Sequence, residues 1–175
     1  MTIDLSLFLE KEDQTYETTV SYDADTVSIK GSTYQKISSE PLPLTFYNDG
    51  GKKLFVSGKT SVSFLSPCDR CLTDVEITIL VTLSEEFDIL DDQISYDEEE
   101  GVSPVSENIL DVDYLVKNEI LYHWPSKVLC REDCKGICPV CGKNRNIEDC
   151  TCDTFVPDPR MAKFLDVFNE SKEVF

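Results

Sequence analysis

Leu54-Phe-Val-Ser-Gly-Lys-Thr-Ser-Val-Ser-Phe-Leu-Ser-Pro-Cys-Asp-Arg-Cys-Leu-Thr-Asp-Val-Glu-Ile-Thr-Ile-Leu-Val-Thr-Leu83 holds two alternating apolar and polar runs separated by a Cys-x2-Cys. In the first run Leu54, Val56, Thr60, Val62 and Phe64 alternate with Ser57, Lys59, Ser61 and Ser63. Val75, Ile77, Ile79, Val81 and Leu83 repeat the pattern in the second. A period of two is that of a strand with one buried face. The stretch therefore predicts two long antiparallel strands joined by a loop that carries Cys68 and Cys71. Upstream, Leu42, Leu44 and Phe46 alternate as a shorter strand, and Asn48-Asp49-Gly50-Gly51 supplies residues that tolerate positive φ in a hairpin turn. Thr18, Val20 and Tyr22 suggest one more strand.

Downstream, the acid-rich stretch over about 88–108 shows no apolar period and is expected as a solvated loop. A helix is expected to start at Asn108 as its cap, with Asp111 near the positive end of the dipole. Ile109, Val112, Val116, Ile120 and Trp124 mark its apolar face, and Pro125 ends it. Asp158-Pro159 signals a second helix with Met161, Phe164, Leu165 and Phe168 as its stripe. The expected architecture is α+β. An antiparallel β-rich region with a closing helix (1–125) is followed by a cysteine-rich module with a C-terminal helix (126–175).

The Cys-x2-Cys of the opening stretch has distant partners. Cys130-x3-Cys134-x3-Cys138-x2-Cys141-x8-Cys150-x-Cys152 places the other six cysteines within 23 residues, in a chain with a single histidine. Tetrahedral Zn²⁺ takes four soft ligands, and Cys-x2-Cys lets two thiolates of one tight turn reach the same ion. Eight thiols suffice for two four-cysteine sites. Cys138, Cys141, Cys150 and Cys152 can close a compact local site, which leaves Cys68, Cys71, Cys130 and Cys134 for a second that spans about 60 residues of chain. The competing reading is a single zinc with some cysteines free. The N-terminus carries no basic stretch and no long apolar run, and no segment approaches a membrane helix, so a cytoplasmic protein with reduced thiols is expected.

The net charge of −18 weighs against a protein that wraps nucleic acid with its whole surface. Its distribution is uneven. Residues 84–113 hold twelve acids and no Lys or Arg, whereas Lys127, Arg131, Lys135, Lys143 and Arg145 outnumber Glu132 and Asp133 over 126–147. Arg70, Arg131, Lys135, Lys143 and Arg145 are therefore the candidate RNA contacts, and the acidic stretch is the candidate dock for a basic protein. Catalysis is not expected. Thiolates saturate the metals, and His123 has no cleft or orienting partner in view. No phosphate-binding or dinucleotide motif can be found among seven glycines.

Three stretches carry a resemblance: Pro67-Cys-Asp-Arg-Cys-Leu72, Leu129-Cys-Arg-Glu-Asp-Cys-Lys-Gly-Ile-Cys-Pro-Val-Cys-Gly142 and Asp158-Pro-Arg160. Together they resemble the YceD-like family of bacteria and plastids, the large ribosomal RNA subunit accumulation proteins. The resemblance covers nearly the whole chain. It implies a non-catalytic role in ribosome biogenesis, in accumulation or processing of 23S ribosomal RNA, with ribosomal RNA or a large-subunit ribosomal protein as partner and no small-molecule substrate or membrane. It carries over the cysteines as metal ligands and no catalytic residue. The alternative function class is a zinc-thiolate redox sensor, or a protein-interaction adaptor unrelated to ribosomes.

Overall fold

In the computed structural model, residues 1–9, 11–91, 93–96 and 102–153 are described. The expected C-terminal helix lies outside them. The chain divides into two compact units. One comprises Met1–Pro67 and Asp74–Val128, the other Cys68–Thr73 and Leu129–Phe175.

The first unit is antiparallel β structure with little helix. Its elements run β1 (Thr2–Asp4), α1 (Ser6–Leu9), β2 (Thr15–Val20), β3 (Thr26–Ile29), β4 (Ser32–Ser39), β5 (Leu42–Asp49) and β6 (Lys53–Pro67). They continue through β7 (Asp74–Leu90), β8 (Gln93–Ser95), β9 (Val105–Ser106), β10 (Ile109–Asp111) and α2 (Val112–His123). The main sheet follows the order β2-β5-β6-β4-β3, with β7 on the other side of β6 and β8 beside β7. A small sheet has the order β1-β10-β9.

The opening stretch of the sequence forms the sheet's longest ladder. β6 and β7 pair without interruption from Lys53 opposite Asp88 to Pro67 opposite Asp74. Leu54, Val56, Val62, Phe64, Ile79, Val81 and Leu83 are all buried. At about 1.5–3 kcal/mol for each fully buried aliphatic or aromatic side chain, this face supplies much of the drive to fold. On its other edge β6 is shared, its first part pairing β5 and its second part β4. Gly58 lies at the end of the β5 ladder, where a Cβ would come within 2.6 Å of the Pro43 carbonyl oxygen. The hairpin expected at Asn48–Gly51 is present, with Gly50 and Gly51 at φ +54° and +68°.

Two expectations change. Asn108 does not cap the helix: it sits in a left-handed turn at φ +61°, its backbone oxygen accepts from Leu5 N, and its side-chain oxygen accepts from Ile94 N. Ile109–Asp111 is instead strand β10, paired with β1. Asp111 becomes the cap, and its Oδ1 accepts from Tyr114 N at 3.1 Å. The reason is local: Asn and Asp serve equally well as caps, and three residues of strand carry too little period to be seen. The helix buries Val112, Leu115, Val116 and Ile120 and ends at extended Trp124 before Pro125. Trp124 packs on Tyr34 and Phe64 with ring centroids 4.6 and 5.6 Å away.

The second change concerns the acid-rich stretch. It is not a loop from its beginning, because β7 runs on to Leu90 with Phe87 and Ile89 buried, then turns at Asp91 into β8. The alternation continues through Glu86 and Asp88, whose exposed carboxylates masked it. Further along, Val105 and Leu110 are buried as well. Residues 92 and 97–101 lie outside the described part.

Candidate metal centres

The second unit gathers the eight cysteines into two groups of four. Cys68, Cys71, Cys130 and Cys134 form one, and Cys138, Cys141, Cys150 and Cys152 the other. Within each group all sulfur atoms lie within 4.8 Å of one another. These are the two quartets into which the spacing divides the thiols. In the first quartet the Cys68 and Cys134 sulfurs are 3.8 Å apart, and those of Cys71 and Cys130 3.5 Å. A tetrahedral ion with Zn–S bonds of about 2.3 Å separates its sulfurs by about 3.8 Å, whereas a disulfide draws them to about 2.05 Å. All eight cysteines are free. Donor type, number and spacing fit two metal sites.

Each quartet is built on a knuckle, and the two knuckles share one hydrogen-bond pattern. Leu72 N donates to Cys68 O at 2.9 Å, and Cys68 N donates to Thr73 O at 2.8 Å. In the other knuckle Gly142 N donates to Cys138 O at 2.9 Å, and Cys138 N donates to Lys143 O at 2.8 Å. The residue after the second cysteine is left-handed in both, at φ +61° for Leu72 and +73° for Gly142. This turn aims backbone amides at the first sulfur. Burial works against a thiolate at Cys68, but amides of Arg70, Cys130 and Cys71 overcome it and hold the thiol down at about 6. Cys138 is likewise held at about 6, by the amides of Cys141 and Val140.

Cys71 is lowered as well, chiefly through Thr73, whereas three other thiols show the opposite effect. Hydrogen bonding to Cys71 pushes Cys130 up to about 12, and Cys141 pushes Cys152 up to about 12. Cys150 is also raised, chiefly by Cys138. Four thiolates cannot crowd together without a counter-charge, so each quartet without a cation retains protons. A divalent cation would relieve that repulsion and release them.

The frame that joins the quartets comes from residues to which the sequence analysis gave no role. Asn146 Nδ2 donates to Cys134 Sγ at 3.3 Å, while its Oδ1 accepts from Arg131 Nη2 and Lys135 N, both at 2.8 Å. Asn144 Nδ2 donates to Thr73 Oγ1, which lies 3.3 Å from Cys71 Sγ. Ile137 N donates to Arg70 O at 3.0 Å. Gly136, at φ +75°, permits this approach, since a Cβ there would lie 2.9 Å from the same oxygen. The signal was the Asn-Arg-Asn run just after the knuckle, because short amide side chains commonly hydrogen-bond nearby backbone.

The candidate RNA-contact residues are exposed, but three of them have local partners. Arg70 Nη1 donates to Cys134 O at 2.8 Å, Arg131 pairs with Asp133 at 3.4 Å, and Lys143 pairs with Glu148 at 3.0 Å. His123 is exposed at the end of α2, with Nδ1 3.4 Å from Glu119 Oε2.

The match to known families is extensive. The family model described as "Large ribosomal RNA subunit accumulation protein YceD" matches residues 56–167. The chain belongs to the YceD family. That match takes in most of β6, the first knuckle, α2 and both quartets. Among curated proteins, the chain is similar to uncharacterized proteins of Mycobacterium bovis and Mycobacterium tuberculosis. Each is 28% identical over 123 residues, covering 69% of this chain and 58% of the relative. An uncharacterized protein of Mycobacterium leprae is 29% identical over 96 residues, covering 54% of this chain and 44% of the relative. The chain thus spans less than two thirds of the length of these relatives. No solved structure matches. Among the described residues, no helix is long and apolar enough to cross a membrane.

Proposed function

We propose that this chain is a non-catalytic zinc-binding factor in ribosome biogenesis that supports accumulation or processing of 23S ribosomal RNA in the cytoplasm. The observation that carries this reading is the pair of cysteine quartets in a member of the YceD family. Cys68, Cys71, Cys130 and Cys134 would hold one Zn²⁺, and Cys138, Cys141, Cys150 and Cys152 the other. With four protein sulfurs each, such ions keep no position open for water, so their contribution is structural. Zinc in the first quartet ties the loop after β6 to the segment after α2.

The partner belongs to the large ribosomal subunit, as ribosomal RNA or as a ribosomal protein. Electrostatics favours a basic protein. Within 68–73 and 129–153 five cations face six acids, and each zinc tetrathiolate adds two negative charges. RNA contact through Arg70, Arg131, Lys135, Lys143 and Arg145 would first have to break the local pairs of Arg131 and Lys143. The redox-sensor reading gains one observation, the exposure of Cys130 and Cys141. Against it, the acidified thiols Cys68 and Cys138 are buried, while exposed Cys130 is pushed up to about 12. Reactive thiols combine low pKa with access.

The test is complementation. In cells depleted of the protein, the wild-type chain restores 23S ribosomal RNA levels, and a chain with Cys68→Ser and Cys138→Ser does not. Equal rescue by both would remove the quartets from the function. No rescue by the wild type would remove the ribosomal reading.

A further inference from the structure

Among the described residues, six that are not glycine have positive φ. Five are Asp13, Lys30, Asp91, Glu107 and Asn108, all polar. The sixth is Leu72. Left-handed backbone crowds a Cβ, and a leucine gains no local hydrogen bond there in return. Exposure compounds the anomaly, because 64% of Leu72 faces solvent. It therefore gains little from burial to offset either cost.

The second knuckle is an internal control. Its hydrogen bonds repeat those of the first to within the quoted distances, and its left-handed position is Gly142. Glycine meets every requirement of the turn. The turn thus does not account for leucine at 72, and a side chain held against backbone strain at the surface points to a contact made outside the described residues. From this we infer that Leu72 is a docking anchor for a basic protein segment that presents an apolar pocket flanked by lysines or arginines.

Charge selects the occupant. Segments 68–73 and 129–153 together carry six acids against five cations before any zinc tetrathiolate is counted, and Arg70 and Lys143 are already engaged. The chain as a whole carries −18. Self-association through this surface would set like charges against each other, and nucleic acid would meet the same repulsion. A basic protein would be attracted and would cover the leucine. The inference rests on the ribosomal reading only for the origin of that protein.

The experiment uses the zinc-loaded full chain, immobilised as wild type, Leu72→Gly and Leu72→Met. Each is offered large-subunit proteins stripped of RNA and, separately, 23S ribosomal RNA stripped of protein. Leu72→Gly is expected to keep both zincs and to melt at a higher temperature than wild type, because the strain is relieved. It should nevertheless retain roughly tenfold less of a basic ribosomal protein, or worse, as removal of an anchor does. Leu72→Met should restore retention. A lower melting temperature for Leu72→Gly would make Leu72 a folding residue and overturn the inference. So would equal retention by wild type and Leu72→Gly, binding of RNA in place of protein, formation of a dimer, or no binding at all. Complementation separates the two readings. If wild type and Leu72→Gly both restore 23S ribosomal RNA, the docking inference falls alone. If wild type does not, the ribosomal reading falls.

Discussion

The two cysteine quartets use the same chemistry and opposite kinds of chain closure. The second spans Cys138 to Cys152, and its frame residues lie close by in sequence. The first brings Cys71 to Cys130 across a separation of 59 residues, with every element from β7 to α2 inside the loop. Loop-closure entropy grows with the logarithm of length, so joining these ends costs about 1.7 kcal/mol more than joining Cys141 to Cys150. A metal bound at the first quartet would have to offset that cost. The lesson is that identical cysteine quartets can be closed in different ways: one gathers a short segment, the other draws on distant parts of the chain.

The largest effect should come from breaking one quartet at a time. Cys68→Ser is expected to free the 68–73 loop and the 129–137 segment, with several kcal/mol of stability lost. Cys138→Ser should loosen only 138–152. Amide hydrogen exchange reads the difference directly, through Cys68 N, Leu72 N and Ile137 N for the first, and Cys138 N and Gly142 N for the second. If both variants expose the same amides, the quartets form one cooperative site and the comparison fails.

The glycines sharpen it at the next level. Gly136→Ala should cost about 2 kcal/mol, from positive φ and a Cβ forced against Arg70 O. Gly142→Ala meets nothing within 4 Å, so it should cost only the strain of φ, about 1 kcal/mol. Denaturant midpoints of the two zinc-loaded variants measure this, and an equal loss would mean that the Arg70 contact is slack. Asn146→Ala should have a smaller effect than Gly136→Ala, about 1–1.5 kcal/mol. Its lost bonds to Arg131 and Lys135 lie at the surface, and those to Cys134 Sγ and Asn144 Oδ1 are partly buried. It should also speed zinc transfer from the first quartet to a chelator more than from the second.

These effects bear on how much the sequence disclosed. The β6–β7 pair was legible because its alternation is sustained along fifteen paired positions and puts most of the large apolar side chains on one face. The quartets were legible because thiols so dense and so spaced have few other uses. The short elements β1, β9 and β10 were not, since two or three residues carry no period. Nor was the end of β7, where carboxylates on the exposed face hid Phe87 and Ile89 on the buried one. Strands β3 and β4 escaped for a related reason: β4 carries exposed residues on both faces, and β3 has only Val27 and Ile29 to mark it. The roles of Asn144 and Asn146 depend on which sulfur each amide reaches, which spacing does not encode. Leu72 was in view throughout as part of a motif. Its strain became visible only from its φ beside that of Gly142.

The most direct test of the two-site account is metal counting by native mass spectrometry, on zinc-loaded protein purified without oxygen. The account predicts two zinc ions per wild-type chain, one in Cys68→Ser and one in Cys138→Ser, with all eight thiols of the wild type reduced. One ion or none in the wild type, or disulfides in place of metal, would contradict it.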